Sequence, residues 1–173
     1  MSKCYRGLEL INSFFLFSAQ PTPPPKVDPD ACLQAHNAER ARHSGTPPLK
    51  WNETLAKHAE KWAKYLASND KFEHEYNTGE GENLYYSYGS PLTTCGDAVT
   101  AWYEEIKDYD YSNPGFSSKT GHFTAVIWKS TTHVGAALAK SADGTKIYVV
   151  ARYSPPGNFR GKFKENVLPQ TSS

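Results

Sequence analysis

The stretch from Gly121 to Thr131, GHFTAVIWKST, restricts this chain more than any other. Thr120 is a helix N-cap residue type, and Phe123, Val126 and Ile127 fall at i, i+3 and i+4. That is an apolar stripe wide enough to dock a helix on a sheet. His122 sits in the predicted first turn at the edge of the stripe, so its imidazole is expected to face a cleft rather than core or bulk water. A single helical histidine is more often a satisfied structural group than a ligand, so the stretch by itself predicts position and not chemistry.

The elements around it follow from spacing and capping. Asp28 or Asp30 can cap a first helix that runs to about His43 and is ended by Ser44-Gly45 and Pro47-Pro48. Asn52 caps a second, with Leu55, Ala59, Trp62, Ala63 and Leu66 at helical spacing to about Ser68. A third is predicted from Asp97 to Asp108, burying Val99, Trp102, Tyr103 and Ile106. Between the second and third, residues 69–91 read as a loop rich in Asn, Gly and Tyr, because Gly79, Gly81, Gly89 and Pro91 punctuate them. Val134–Lys140 and Ile147–Tyr153 read as strands joined through Asp143-Gly144, where glycine supplies the positive φ of a tight hairpin. Ile147, Val149 and Ala151 on one side and Tyr148 and Val150 on the other make the second strand apolar on both faces. Such a strand must be covered twice, which predicts an α+β fold: a three-layer α-β-α sandwich around a small antiparallel sheet.

Composition narrows the function classes. A net charge of +1 with interspersed signs offers no basic stripe, so nucleic acid is not an expected partner. The three cysteines, Cys4, Cys32 and Cys95, are an odd number at unrelated spacings, neither a disulfide framework nor a zinc pattern. Residues 1–27 divide into Leu10–Ala19, which reads as either a signal-peptide core or a disordered tail, and the extended Pro21–Pro25 linker. The domain is expected over residues 28–169, with 170–173 as a tail.

GHFTAVIWKST resembles a signature of the CAP superfamily, which comprises cysteine-rich secretory proteins, venom antigen-5 proteins and plant pathogenesis-related class 1 proteins. A second signature is similar to the run from Tyr148 to Phe159, YVVARYSPPGNF, and His36-Asn37-x-x-Arg40 and Gly81-Glu82-Asn83-Leu84 agree in the same order. The resemblance implies the α-β-α fold and brings His74, Glu82, Glu105 and His122 into one cleft. Two imidazoles and two carboxylates suit zinc or another divalent cation, with the carboxylates either binding directly or holding the imidazoles. Glu105 borders the buried stripe of its helix, whereas Glu104 points further out, which is why Glu105 is taken.

Ser87 follows Glu82 by five residues, where a Golgi-associated relative has been proposed to use a serine; with His74 and Glu82 it makes a candidate catalytic set. No nucleophile elbow accompanies it, so binding is favoured over catalysis. The expected activity is non-enzymatic binding of a lipid, a sterol or an anionic membrane surface, with homodimerisation left open. The rivals are a hydrolase and a pure protein-interaction module. Tyr85, Tyr86 and Tyr88, close together in the predicted loop, must point several ways, so some rings should be exposed as a lipid-binding surface.

Ala151 stands where the second signature normally has a cysteine, so the family's disulfides are expected to be absent and a Cys32–Cys95 bond dispensable. This and the ending Glu165-Asn166-Val167-Leu168-Pro169 resemble the intracellular, Golgi-associated branch. That branch is myristoylated, whereas Ser2 follows Met1 here. The location is therefore either peripheral at Golgi-type membranes or extracellular if residues 1–19 act as a signal peptide.

Overall fold

The computed structural model describes residues 26–90 and 93–171. The signal-peptide and linker expectations, Cys4 and Pro91 lie outside the described residues. In chain order the elements are α1 (Pro29–Arg40), β1 (Lys50–Trp51), α2 (Glu53–Asn69), β2 (Gly81–Tyr88), α3 (Cys95–Glu104), a 3-10 turn (Glu105–Asp108), α4 (Gly121–Val126), β3 (His133–Lys140), β4 (Lys146–Ser154) and α5 (Phe163–Asn166). The sheet runs β1-β3-β4-β2. It is antiparallel except at β1, whose two residues pair parallel to His133 and Val134.

Helices cover both faces, as the two-sided β4 requires. On one face, Ala59, Ala63 and Leu66 of α2 pack on Leu84, Ala137, Tyr148 and Val150. On the other, Cys32, Val99, Trp102, Phe123 and Val126 from α1, α3 and α4 meet Val134, Leu138, Val149, Ala151 and Tyr153. Gly135 permits the first layer to sit where it does, because a Cβ there would lie 2.2 Å from the Ala56 amide nitrogen. Asp28 and Asn52 cap α1 and α2 as expected, each accepting two backbone N–H bonds. Gly144 takes the predicted positive φ at the hairpin.

Four expectations need correction. Residues 81–88 are a full strand, paired with β4 from Gly81↔Tyr153 to Tyr88↔Lys146. The punctuating glycines lie at its ends: Gly79 and Gly89 take positive φ before and after it, and Gly81 begins it. Their turns bound the strand instead of breaking it. The third helix starts earlier, at Cys95, because Thr94 and Asp97 form a reciprocal capping box, and it tightens into the 3-10 turn at Glu105. Thr120 does not cap α4 through its side chain; that task falls to Glu105.

The last correction concerns sulfur. Cys32 and Cys95 form a disulfide between α1 and α3, their Cα atoms 5.3 Å apart. The two helices pack directly, and this proximity is invisible in a sequence separation of 63 residues. Closing so long a loop restricts the unfolded chain, so the bond is expected to contribute about 2–4 kcal/mol. Reduction, or Cys95→Ser, should therefore lower the unfolding temperature by roughly 5–15 °C. Calorimetric scans with and without reductant check this, and coincident transitions would contradict it.

Candidate functional site

The site begins with the carboxylate of Glu105, at the start of the 3-10 turn. Oε2 accepts hydrogen bonds from the His122 and Phe123 backbone N–H groups at 3.0 and 3.1 Å. Two of the N–H groups that a helix start leaves unpaired are thereby satisfied, and a negative charge sits at the positive end of α4. Oε1 accepts from Nδ1 of His122 at 2.7 Å. The imidazole stacks on Trp102, whose indole N–H donates to the Leu84 carbonyl of β2. Asn83 donates to the His122 carbonyl at 3.0 Å, and Asn158 donates to that of Gly121 at 2.9 Å. The ring is thus held at its carboxylate side, its face and its backbone.

A second pair sits at the start of β2. The side chain of Glu82 is 6% exposed, and its Oε1 accepts from His74 Nδ1 at 2.5 Å and from the Glu75 backbone N–H at 3.2 Å. Behind it lies Arg152, whose guanidinium is wholly buried; Nη2 reaches Glu82 Oε2 at 2.8 Å and also pairs with Glu75. Glu75 is thus turned toward Arg152, and Glu73 accepts from Lys71 at 3.3 Å, so the acids flanking His74 in sequence are occupied elsewhere.

A carboxylate only accepts, so in both pairs Nδ1 carries the hydrogen and Nε2 of the neutral ring keeps its lone pair. Of the two roles open to Glu82 and Glu105, the geometry assigns the holding role: their oxygens are engaged by imidazole, backbone and guanidinium. The four residues do not gather into a four-donor cage. Among the described residues, the His/Cys/Asp/Glu group whose ligand atoms all lie within 4.8 Å of one another is Cys32, His36 and Cys95. Its sulfurs are joined in the disulfide, while His36 bonds to the Cys32 carbonyl and the Tyr153 hydroxyl. Burial lowers the pKa of His36 to about 4, which keeps it neutral.

Ser87 does not join His74 and Glu82. Five positions along a strand amount to about 16 Å. Alternation puts Ser87 with Asn83 and Tyr85 on the opposite side of β2 from Glu82. The same alternation sorts the tyrosines. Tyr85 packs against the core, whereas Tyr86 and Tyr88 lie on the side of Leu84 and are 38% and 70% exposed. Phe72, 56% exposed, lies 6.0 Å from the Tyr86 ring, and Tyr86 lies 5.4 Å from Tyr148. A further imidazole–carboxylate pair, His58–Glu80 at 2.6 Å, escaped the sequence reading. Its partners are 22 residues apart, one on the outer side of α2 and one in irregular chain, so no periodicity announces it.

With this geometry in hand, comparison with known proteins decides the family. The profile of the cysteine-rich secretory protein family, CAP, matches residues 33–153. The chain belongs to the CAP family. It is 44% identical over 142 residues to the human Golgi-associated plant pathogenesis-related protein 1, spanning 79% of this chain and 90% of that protein. Protein PRY2 of Saccharomyces cerevisiae is 42% identical over 137 residues, but the chain spans 40% of its length. Secreted protein RBT4 of Candida albicans is 40% identical over 131 residues, with 75% of this chain and 35% of that protein covered. CAP relatives thus include a Golgi-associated and a secreted protein. Among solved structures, BmVAL-1 aligns with a TM-score of 0.69 at 23% identity, over 83% of this chain and 82% of that one. NaASP2, solved with Zn2+, aligns at 0.63 and 21% identity, over 83% and 86%. Both establish the CAP fold. His74, Glu82, Glu105 and His122 all fall within the matched residues.

Proposed function

We propose that this CAP domain is a non-enzymatic lipid-binding module that takes up a sterol or docks on a lipid surface through the outer strand β2. The observation that carries this reading is the outward display of Tyr86 and Tyr88 beside Phe72. The α2 layer lies over β3 and β4, so beyond Glu82 and Leu84, at Tyr86 and Tyr88, this side of the outer strand is not covered by α2 among the described residues. Tyrosines at such a place bury an apolar ring while their hydroxyls stay wet, the arrangement favoured at lipid–water boundaries. Tyr85, grouped with them in the sequence reading, belongs to the core. No helix among the described residues is long and apolar enough to cross a membrane, so the attachment in this reading is peripheral. The patch carries both signs, Lys71 and Lys146 beside Asp70 and Glu73, which favours an apolar contact over an anionic surface. A hydrolase reading loses support from Ser87, which faces away from its intended histidine.

The histidines add a metal function to the same reading. Two imidazoles held at Nδ1 by carboxylates, with Nε2 left for a ligand, are a donor set that zinc uses. His74 and His122 would hold the ion, and Glu82 and Glu105 would orient them. NaASP2, solved with Zn2+, supports this choice of metal. Location follows the disulfide: Cys32–Cys95 suits an oxidising compartment, the secretory lumen or the cell exterior.

Flotation with vesicles of phosphatidylcholine, with and without sterol or phosphatidylserine, tests the lipid surface. Full burial of each aromatic ring is worth about 1.5–3 kcal/mol. A folded Phe72→Ser/Tyr86→Ser/Tyr88→Ser variant should therefore bind at least about tenfold more weakly. Equal binding would remove β2 as the contact surface. In zinc titration calorimetry, His74→Ala/His122→Ala should lose the heat of binding seen with the wild type while keeping lipid affinity. Unchanged zinc binding would sink the metal assignment.

A further inference from the structure

Asn52 caps α2 with only part of its side chain. Its Oδ1 accepts from the Thr54 and Leu55 backbone N–H groups at 2.9 and 3.0 Å. Its backbone N–H donates to the Val134 carbonyl at 2.9 Å. With Oδ1 turned into the helix start, Nδ2 on the far side of the carboxamide carbon is turned away from it. Among the described residues Nδ2 donates to nothing. The residue stands at the junction of β1 and α2 in extended conformation, φ −133° and ψ 114°. It is half-buried, and Glu53 and Thr54 after it are exposed.

Asn52-Glu53-Thr54 is an acceptor triplet for N-linked oligosaccharide, which requires a hydroxyl two residues on and no proline between. The sequence has nine asparagines, and Asn52 alone is followed at that distance by serine or threonine, so it offers one attachment point. The fold leaves room there. Trp51 and Glu53, on either side of Asn52, line a groove of about 420 Å³ that α2 walls on one side and Val27 and Pro29 on the other. The Trp51 indole N–H donates to Glu53 Oε1 at 3.0 Å, which steadies the ring. The groove floor is residues 136–140 of β3, a strand that β1 pairs only at His133 and Val134. Sheet edges of this kind are normally blunted or covered. A hydrated oligosaccharide rooted beside this one shields it without taking up its backbone groups.

We propose that Asn52 is an N-glycosylation site, carrying its oligosaccharide on Nδ2 at the mouth of the β3 groove. In the transfer, a bond forms between Nδ2 and C1 of the first sugar. The bond from C1 to the pyrophosphate oxygen of a lipid-linked oligosaccharide donor breaks. The lipid pyrophosphate leaves, Nδ2 gives up one proton, and nothing is oxidised or reduced. Oδ1 is untouched, so the glycosylated residue still caps α2. β1 and β2 lie at opposite edges of the sheet, so the glycan is rooted away from Tyr86 and Tyr88. This assignment rests on the secretory location read from Cys32–Cys95, because the donor and its transferase act in that oxidising lumen.

The test is the intact mass of the full chain produced in eukaryotic cells, before and after peptide-N-glycosidase, which leaves aspartate where a glycan was attached. Non-reducing peptide mapping of the same sample reads the Cys32–Cys95 bond. The expected result is a glycan that the enzyme releases, with the conversion to aspartate at position 52. Thr54→Ala, at an exposed position, removes the hydroxyl and leaves the cap. It should abolish the glycan while circular dichroism shows an unchanged fold, and Thr54→Ser should keep the glycan. An unmodified Asn52 in protein whose Cys32–Cys95 bond is formed would overturn the glycan and leave the location standing. An unmodified Asn52 with both thiols free would overturn the two together. A glycan that persists in Thr54→Ala would overturn Asn52 as its attachment point.

Discussion

The organising stretch from Gly121 to Thr131 depends on a buried guanidinium. α4 is only six residues long and ends in irregular chain, which leaves carbonyls inside the protein without helical partners. Arg40 meets them from α1: its Nη1 donates to the Val126 and Trp128 carbonyls at 2.9 Å, its Nη2 to Thr131 at 3.1 Å, and its Nε to Pro47 at 2.8 Å. Among the described residues no carboxylate is paired with it. Burial lowers the pKa of Arg40 to about 10, which still leaves it charged near neutrality. A rigid fork of donors suits several converging carbonyls where a lysine ammonium would not. Asn37, a helical turn before, bridges the Leu49 backbone in both directions. Within the motif His36-Asn37-x-x-Arg40, Asn37 and Arg40 thus complete other segments' backbones, while His36 bonds to the Cys32 carbonyl of its own helix and the Tyr153 hydroxyl.

The same logic repeats outward from that centre. Glu105 completes the start of α4, Asn83 and Asn158 complete its first carbonyls, and Arg152 compensates the carboxylate that holds His74. Buried polar groups are costly when unpaired, so networks of this kind tolerate few alternative arrangements. The consequence is a frame in which His122 and His74 are oriented while, among the described residues, their Nε2 atoms make no hydrogen bond. The outer strand β2 then carries exposed aromatic rings at Tyr86 and Tyr88.

Much of this was legible in the sequence because it rests on local periodicity. The caps at Asp28 and Asn52, the stripe of α2, the hairpin glycine Gly144 and the two-sided burial of β4 are each written within a few residues. The motif resemblance named His74, Glu82, Glu105 and His122 and left two roles open to the carboxylates; the structure places each carboxylate on one imidazole. What failed was nonlocal or misjudged at a boundary. Glycines flanking β2 were read as breaking a segment they terminate, and so Tyr85 was grouped with rings on the other side of the strand. Cys32 and Cys95 meet only through helix packing, and Glu105 displaces Thr120 as the cap only once α3 has turned into its 3-10 ending. Ser87 lost its role to strand parity, which cannot be applied until the strand itself is recognised.

The central functional claim is that the outer strand β2, rather than another apolar recess, meets lipid. Its strongest competitor is the cavity of about 590 Å³ beside Phe116, Arg160 and Phe163. Proton–nitrogen NMR of the full chain with sterol-containing nanodiscs that carry a lipid-borne spin label separates the two directly. The account predicts paramagnetic broadening centred on Phe72, Tyr86 and Tyr88, with Gly115, Phe116 and Gly161 unaffected. Broadening centred on Phe116 and Gly161, with the β2 amides sharp, would contradict it.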